Sequence, residues 1–133
     1  MNKNSQNLKI YGVTLVGIKG QIILPAECRK DFEIDVGDIF YIGTFKEMAF
    51  VMSNDKICSE DSIWKFEEFI ENEEQIRVGT KFQFVIPKQI RELLEIETGN
   101  SIIVVGESGH GLGFIKNDKI DFLLEYIKES FKN

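Results

Sequence analysis

VGIKGQIILPAECRKDFEIDVGDIFYIG (residues 16–43) returns as VGTKFQFVIPKQIRELLEIETGNSIIVV (residues 78–105). At a constant offset of 62, nine of 28 positions are identical: Val16/Val78, Gly17/Gly79, Lys19/Lys81, Gln21/Gln83, Pro25/Pro87, Arg29/Arg91, Glu33/Glu95, Ile34/Ile96 and Gly37/Gly99. The two prolines are the only ones in the chain. Hydrophobic positions can align by accident, but matched prolines, glycines and arginines require a duplicated unit, and a duplicated unit predicts internal symmetry.

Working outward from the repeat, each copy reads as strand, turn, short strand, short helix, turn, strand. Tyr11–Gly17 is β-branched and aromatic and predicts a strand. Ile22–Leu24 is a short strand stopped by Pro25, and Pro25–Asp31 a helix of two turns, since proline's missing N–H costs nothing in a first turn. Val36–Gly37–Asp38 turns the chain into a strand at Ile39–Ile42, and Met48–Met52 follows as another. The second copy repeats the plan with Thr80–Ile86, a helix over Pro87–Leu94 whose Ile90, Leu93 and Leu94 share one face, and strands at Ile102–Val105 and Leu112–Ile115. An amphipathic helix is expected after each copy. The first (EDSIWKFEEFIENE, 60–73) is acidic, and the second (KIDFLLEYIKESF, 119–131) carries a stripe of Ile120, Leu123, Leu124, Ile127 and Phe131 with Asp118 as cap. The expected organisation is a first repeat over 8–58, an acidic connecting helix over 59–75, a second repeat over 76–118 and a C-terminal helix over 119–133.

Two copies of near 60 residues are each too short to bury much alone, so a chain of 133 residues is expected to fold around one shared core. No apolar run is long enough to span a membrane and the first residues lack a secretory signal's apolar stretch, so a cytoplasmic protein is expected, with Cys28 and Cys58 as reduced thiols. The net charge of -6 is concentrated between residues 45 and 75, where three basic residues face nine acidic ones. The repeated cores are near neutral, short of the strongly basic surface usual in nucleic-acid binders.

GQIILPAECRKDFEIDVGD (20–38) and FQFVIPKQIRELLEIETGN (82–100) carry proline, arginine, Glu-Ile and Gly-Asp/Asn elements in the same order, and so resemble the AbrB/MazE/SpoVT family of swapped-hairpin domains. The resemblance covers both repeats and not the helices after them. It implies a mainly β fold with short helices, an intertwined, double-psi-like β-barrel in which each copy donates a hairpin to the other, and it satisfies within one chain the pairing that single-copy members reach by dimerising. It also implies a transcription regulator that sets basic residues against double-stranded DNA. Carried over by position, the DNA-facing set is Lys19, Gln21, Arg29 and Lys30 in the first copy and Lys81, Gln83, Lys88 and Arg91 in the second. Gln21 and Gln83 stand where one branch of the family has arginine. Phe82 stands where the pattern has glycine, and Glu92 where the first copy has Lys30. Glutamine can read adenine but brings no charge, and each missing cation removes about one counterion's worth of salt-dependent affinity.

Other readings of the same residues stay open. The cations can be solvated surface charge, and Arg29 and Arg91 can instead pin each helix to the body of the fold through an ion pair. The acidic segment 60–74 suits a basic protein partner, as in an antitoxin that has lost its DNA surface, and the stripe at Leu123–Phe131 suits a second chain. Catalysis is not expected. Ser108 and His110 form no activated nucleophile, no Gly-rich phosphate loop is present, and a sole histidine without a ligand cluster predicts no metal or other cofactor.

Overall fold

The computed structural model describes residues 8–52, 70–107 and 111–130. Its strands are β1 (Leu8–Leu15), β2 (Gln21–Ile23), β3 (Ile39–Phe45), β4 (Met48–Met52), β5 (Glu71–Arg77), β6 (Gln83–Val85), β7 (Ser101–Glu107) and β8 (Gly111–Lys116). Its helices are α1 (Ala26–Asp31), α2 (Lys88–Leu94) and α3 (Ile120–Ser130), the last entered through a 3-10 turn at Asn117–Lys119 that contains Asp118. Pro25 and Pro87 are the N-caps of α1 and α2, with φ near the value the pyrrolidine ring imposes (-58° and -55°).

Among the described residues, eight strands form two antiparallel sheets: six in the order β1-β7-β8-β4-β3-β5, and the pair β2-β6. The large sheet reads the same from either end when the two halves are exchanged. The hairpins β3–β4 and β7–β8 stay within their own halves and meet at β4–β8. It is the leading strands that cross over, β1 onto β7 and β5 onto β3, while β2 pairs with β6.

This corrects the expected fold. The molecule is mixed α and β with two open sheets, and the closed swapped-hairpin barrel does not form. The reason is local. Pro25 and Pro87 end β2 and β6 after three residues each, and these short strands hydrogen-bond as a separate ribbon rather than bridging β1 to β5. β1 and β5 therefore remain edges, each bent by a break in register, between Ile10 and Gly12 on β1 and between Ile42 and Thr44 on β3 opposite β5.

The principal core lies between one face of the large sheet and the layer of β2, β6, α1 and α2. It is built from offset pairs that are buried in both halves: Val16/Val78, Ile22/Phe84, Leu24/Ile86, Cys28/Ile90, Ile34/Ile96 and Ile42/Val104. Cys28 thus occupies the place of an isoleucine and packs as a small apolar side chain. Burial pushes its thiol up to about 12. A second cluster on the sheet's other face joins Met48, Phe50, Ile103, Val105 and Ile115 to Leu123 of α3, with Ile120 and Ile127 half-buried beside them.

Two helix expectations change. The acidic helix expected over 59–75 lies mostly outside the described residues, and its last part, from Glu71, is strand β5. Pairing with β3, from Ile39↔Arg77 to Thr44↔Glu71, outweighs the helical propensity of glutamate there. On α2, Ile90 and Leu94 face the core but Leu93 is exposed. Likewise Leu124 of the expected α3 stripe is exposed.

Candidate nucleic-acid interface

The site begins at two turns of the same construction. In the first, the Gly17 N–H donates to the Gln21 carbonyl (2.8 Å) and the Gly20 N–H to the Gly17 carbonyl (2.9 Å). The Lys19 N–H donates to Gln21 Oε1 (2.9 Å). In the second, Gly79 N–H reaches the Gln83 carbonyl (2.7 Å), Phe82 N–H the Gly79 carbonyl (2.9 Å), and Lys81 N–H reaches Gln83 Oε1 (2.8 Å). A Cβ on Gly17 would sit 2.6 Å from the Gln21 amide, and one on Gly79 would sit 2.7 Å from that of Gln83. The identities Gly17/Gly79 and Gln21/Gln83 therefore have a structural cause. Each glutamine folds back over a glycine to hold its own turn. The amide oxygens of the glutamines expected to read adenine accept within the protein.

The third residue of interest in each turn has positive φ, Gly20 at 82° and Phe82 at 57°. Glycine adopts this freely, whereas a bulky aromatic there is uncommon. Each position is covered by the arginine of the other half. The Arg29 guanidinium lies 4.4 Å from the centroid of the Phe82 ring, a stacking distance for a cation on an aromatic face. Arg91 lies across Gly20, where a Cβ would come within 2.5 Å of its Nε, and that Nε donates to the Ile86 carbonyl (2.8 Å). Both arginines are half-buried, and Arg29 Nε is buried without a hydrogen-bond partner. Arg29 is thus held against a ring of the other half, and Arg91 bonds a carbonyl five residues earlier in its own half.

These contacts regroup the sequence-predicted cations. The Ile86 N–H donates to the Gly20 carbonyl (2.9 Å) and the Leu24 N–H to the Phe82 carbonyl (3.0 Å), so each turn sits beside the entry to the other half's helix. Lys19 consequently belongs with Lys88 and Arg91, and Lys81 with Arg29 and Lys30, at opposite ends of the β2–β6 ribbon. Lys19, Lys30, Lys81 and Lys88 are exposed. Between the groups the ribbon presents Ile23 and Val85, both exposed, with Gln21 and Gln83 half-buried as their register partners.

The two groups differ in their acidic neighbours. Beside the first lies a groove of about 540 Å³ lined by Lys88, Arg91, Glu92, Glu95, Asn100 and Lys116, among others. Lys116 belongs to this region although sequence reasoning did not single it out. Its Nζ donates to the Glu95 carbonyl (2.7 Å), at a helix end whose residue Glu95 is left-handed (φ 56°). A cation at an unpaired C-terminal carbonyl is the available signal, but it needs the tertiary approach of β8. Beside the second group, the α1 carboxylates Glu27 and Asp31 accept from Lys9 Nζ (2.7 and 2.9 Å), and Asp31 also accepts from the Tyr11 hydroxyl (2.9 Å). The bonds from Lys9, then from Tyr11, hold the Asp31 carboxyl below its usual range. Desolvation, then the bond to Asp31, raises the Tyr11 phenol. Lys9 is raised by its bonds to Glu27 and Asp31.

Ser108, His110 and Cys58 lie outside the described residues. Among the described residues, no helix is long and apolar enough to cross a membrane, and no group of three or more His, Cys, Asp or Glu side chains is placed to hold a metal ion.

No family model and no curated protein matches the chain. It is similar to the solution structure of PHS018 from Pyrococcus horikoshii, with 22% identity, covering 81% of this chain and 90% of that one, at a TM-score of 0.38. A likeness at that level identifies neither a site nor an activity.

Proposed function

We propose that the chain binds double-stranded DNA through phosphate contacts made by the two cationic groups at the ends of the β2–β6 ribbon. The observation that carries this reading is the cross-half grouping of Lys19 with Lys88 and Arg91, and of Lys81 with Arg29 and Lys30. It brings three cations together at each of two related places, beside Glu92 and Glu95 at one and Glu27 and Asp31 at the other. The reading is narrower than that of a sequence-specific regulator. Phosphate contacts position a protein on a duplex, and base contacts specify the sequence. With the Oε1 of Gln21 and of Gln83 engaged in their own turns, the reading assigns the exposed lysines to phosphate and assigns no base contact.

The test is a titration of a fluorescent mixed-sequence duplex of about 25 base pairs at several salt concentrations. Four lysine–phosphate contacts predict a slope of log K against log salt of about -3.6, and removing Lys19 and Lys81 together reduces it by about 1.8. An absence of binding at low salt, or a slope that ignores both lysines, refutes the reading.

A further inference from the structure

The β2–β6 ribbon is symmetric about its own centre. Its register pairs are Gln21↔Val85, Ile22↔Phe84 and Ile23↔Gln83. Exchanging the halves at the offset of 62 turns the first pair into the third and returns the middle pair to itself. A pseudo-twofold axis therefore passes between Ile22 and Phe84. Those two side chains are buried in the principal core. Successive residues of a strand alternate between faces, so Gln21, Ile23, Gln83 and Val85 share the outward face. None of the four is charged, and Ile23 and Val85 are 53% and 46% exposed. The same axis exchanges the cationic groups at the two ends, Lys19 with Lys81 and Arg91 with Arg29. The outward surface is thus an uncharged, partly apolar centre between two cationic ends, in twofold array.

We propose that, on the duplex reading above, this ribbon lies in the major groove, its axis on a local twofold axis of the DNA, with Ile23 and Val85 against thymine methyl groups. Three features select this occupant. The strands of a duplex are antiparallel, so a twofold axis relates the phosphate rows on either side of a groove, and a twofold protein surface matches it. A single strand or a lipid surface offers no such pair of rows. A two-stranded ribbon fits the major groove, about 12 Å wide, and exceeds the minor groove of about 6 Å. The thymine C5 methyl projects into the major groove and is recognised by apolar side chains without hydrogen bonds. To the phosphate contacts at the two ends, this adds a preference for A·T pairs under the centre of the ribbon.

Because this rests on the duplex reading, the experiment keeps the two apart. The full, unaltered chain is titrated with an A·T-rich duplex and with the same duplex carrying uracil in place of thymine. The exchange removes methyls from the major groove and leaves the minor-groove edges as they were. One buried methyl corresponds to about fourfold in affinity, so losing two should weaken binding roughly tenfold, at an unchanged salt slope. Ile23→Ser combined with Val85→Ser should bind the two duplexes equally and keep the salt slope, because neither residue carries charge. Either substitution alone should leave about a fourfold difference, and makes the test if the double variant alters the circular dichroism. An absence of duplex binding at low salt would overturn the duplex reading and this inference with it. Binding with the expected salt slope but equal or greater affinity for the uracil duplex would overturn the inference alone. So would a thymine preference that survives both substitutions, or equal binding of the single thymine strand.

Discussion

Gly20→Ala tests whether an arginine from one half depends on a glycine of the other. Gly20 and Gly37 have similar backbones, with φ of 82° and 92°. A Cβ added at Gly37 meets nothing within 4 Å, whereas one added at Gly20 meets Arg91 at 2.5 Å. Placing an L-residue in the left-handed region costs about 1–2 kcal/mol at either position. At Gly20 the alanine must also displace the Arg91 side chain and break its bond to the Ile86 carbonyl. Because Arg91 is half-buried and water can replace part of that bond, the added cost is about 1–2 kcal/mol. Gly37→Ala should therefore destabilise by about 1–2 kcal/mol and Gly20→Ala by about 2–4 kcal/mol. Urea unfolding at equilibrium measures both, provided the slope with denaturant is unchanged. In an Arg91→Ala background the excess at Gly20 should vanish, since the partner is already gone. Equal costs at the two glycines, or an excess that persists without Arg91, would refute the reasoning.

Other consequences concern the turn, the thiol and the edge-strand ion pair. Gln21→Ala and Gln83→Ala should each cost about 0.5–1.5 kcal/mol in urea unfolding while leaving the salt slope of DNA binding unaltered, because each amide holds a turn and not a base. Cys28 should resist iodoacetamide in the folded chain and react once urea unfolds it, as read by mass spectrometry of its peptide. Its raised thiol makes stability independent of this group below the ordinary value of 9.0 and lowers stability as pH climbs from there towards about 12, because only the unfolded chain ionises. Asp31 works in the opposite sense. Its depressed carboxyl contributes stability above the usual carboxylate range, and that contribution is lost as pH falls through the folded value. Asp31→Asn should accordingly flatten the acid limb of the stability profile, measured as urea midpoints between about pH 2 and pH 6.

The elements themselves were largely legible. β2 and β6 (21–23 and 83–85), like β3 and β7 (39–45 and 101–107), fall at the offset of 62 seen in the repeat. Proline's fixed φ marks the start of both short helices wherever the chain goes next. Glu71–Gln75 was not legible, because its acidic run continues a helical periodicity and only the pairing with β3 makes it a strand. The role of the glutamines in their turns was not legible for a related reason. A polar side chain two residues beyond a lysine looks available until the turn closes and brings its amide onto the Lys19 or Lys81 N–H.

By itself, the order of residues determined the duplication, the element boundaries set by Pro25 and Pro87, and the pairs of apolar positions that fill the core. These follow from periodicity and from backbone restrictions that act within a few residues. Only the tertiary structure decided that β1 and β5 change halves, that the sheets stay open, and that Arg29 meets Phe82 while Arg91 meets Gly20. Those contacts join residues far apart in the chain, from 27 positions for Thr44 and Glu71 to more than fifty for Arg29 and Phe82, and no local preference specifies them. They are settled by which pairing buries the shared core and satisfies the backbone of both halves together.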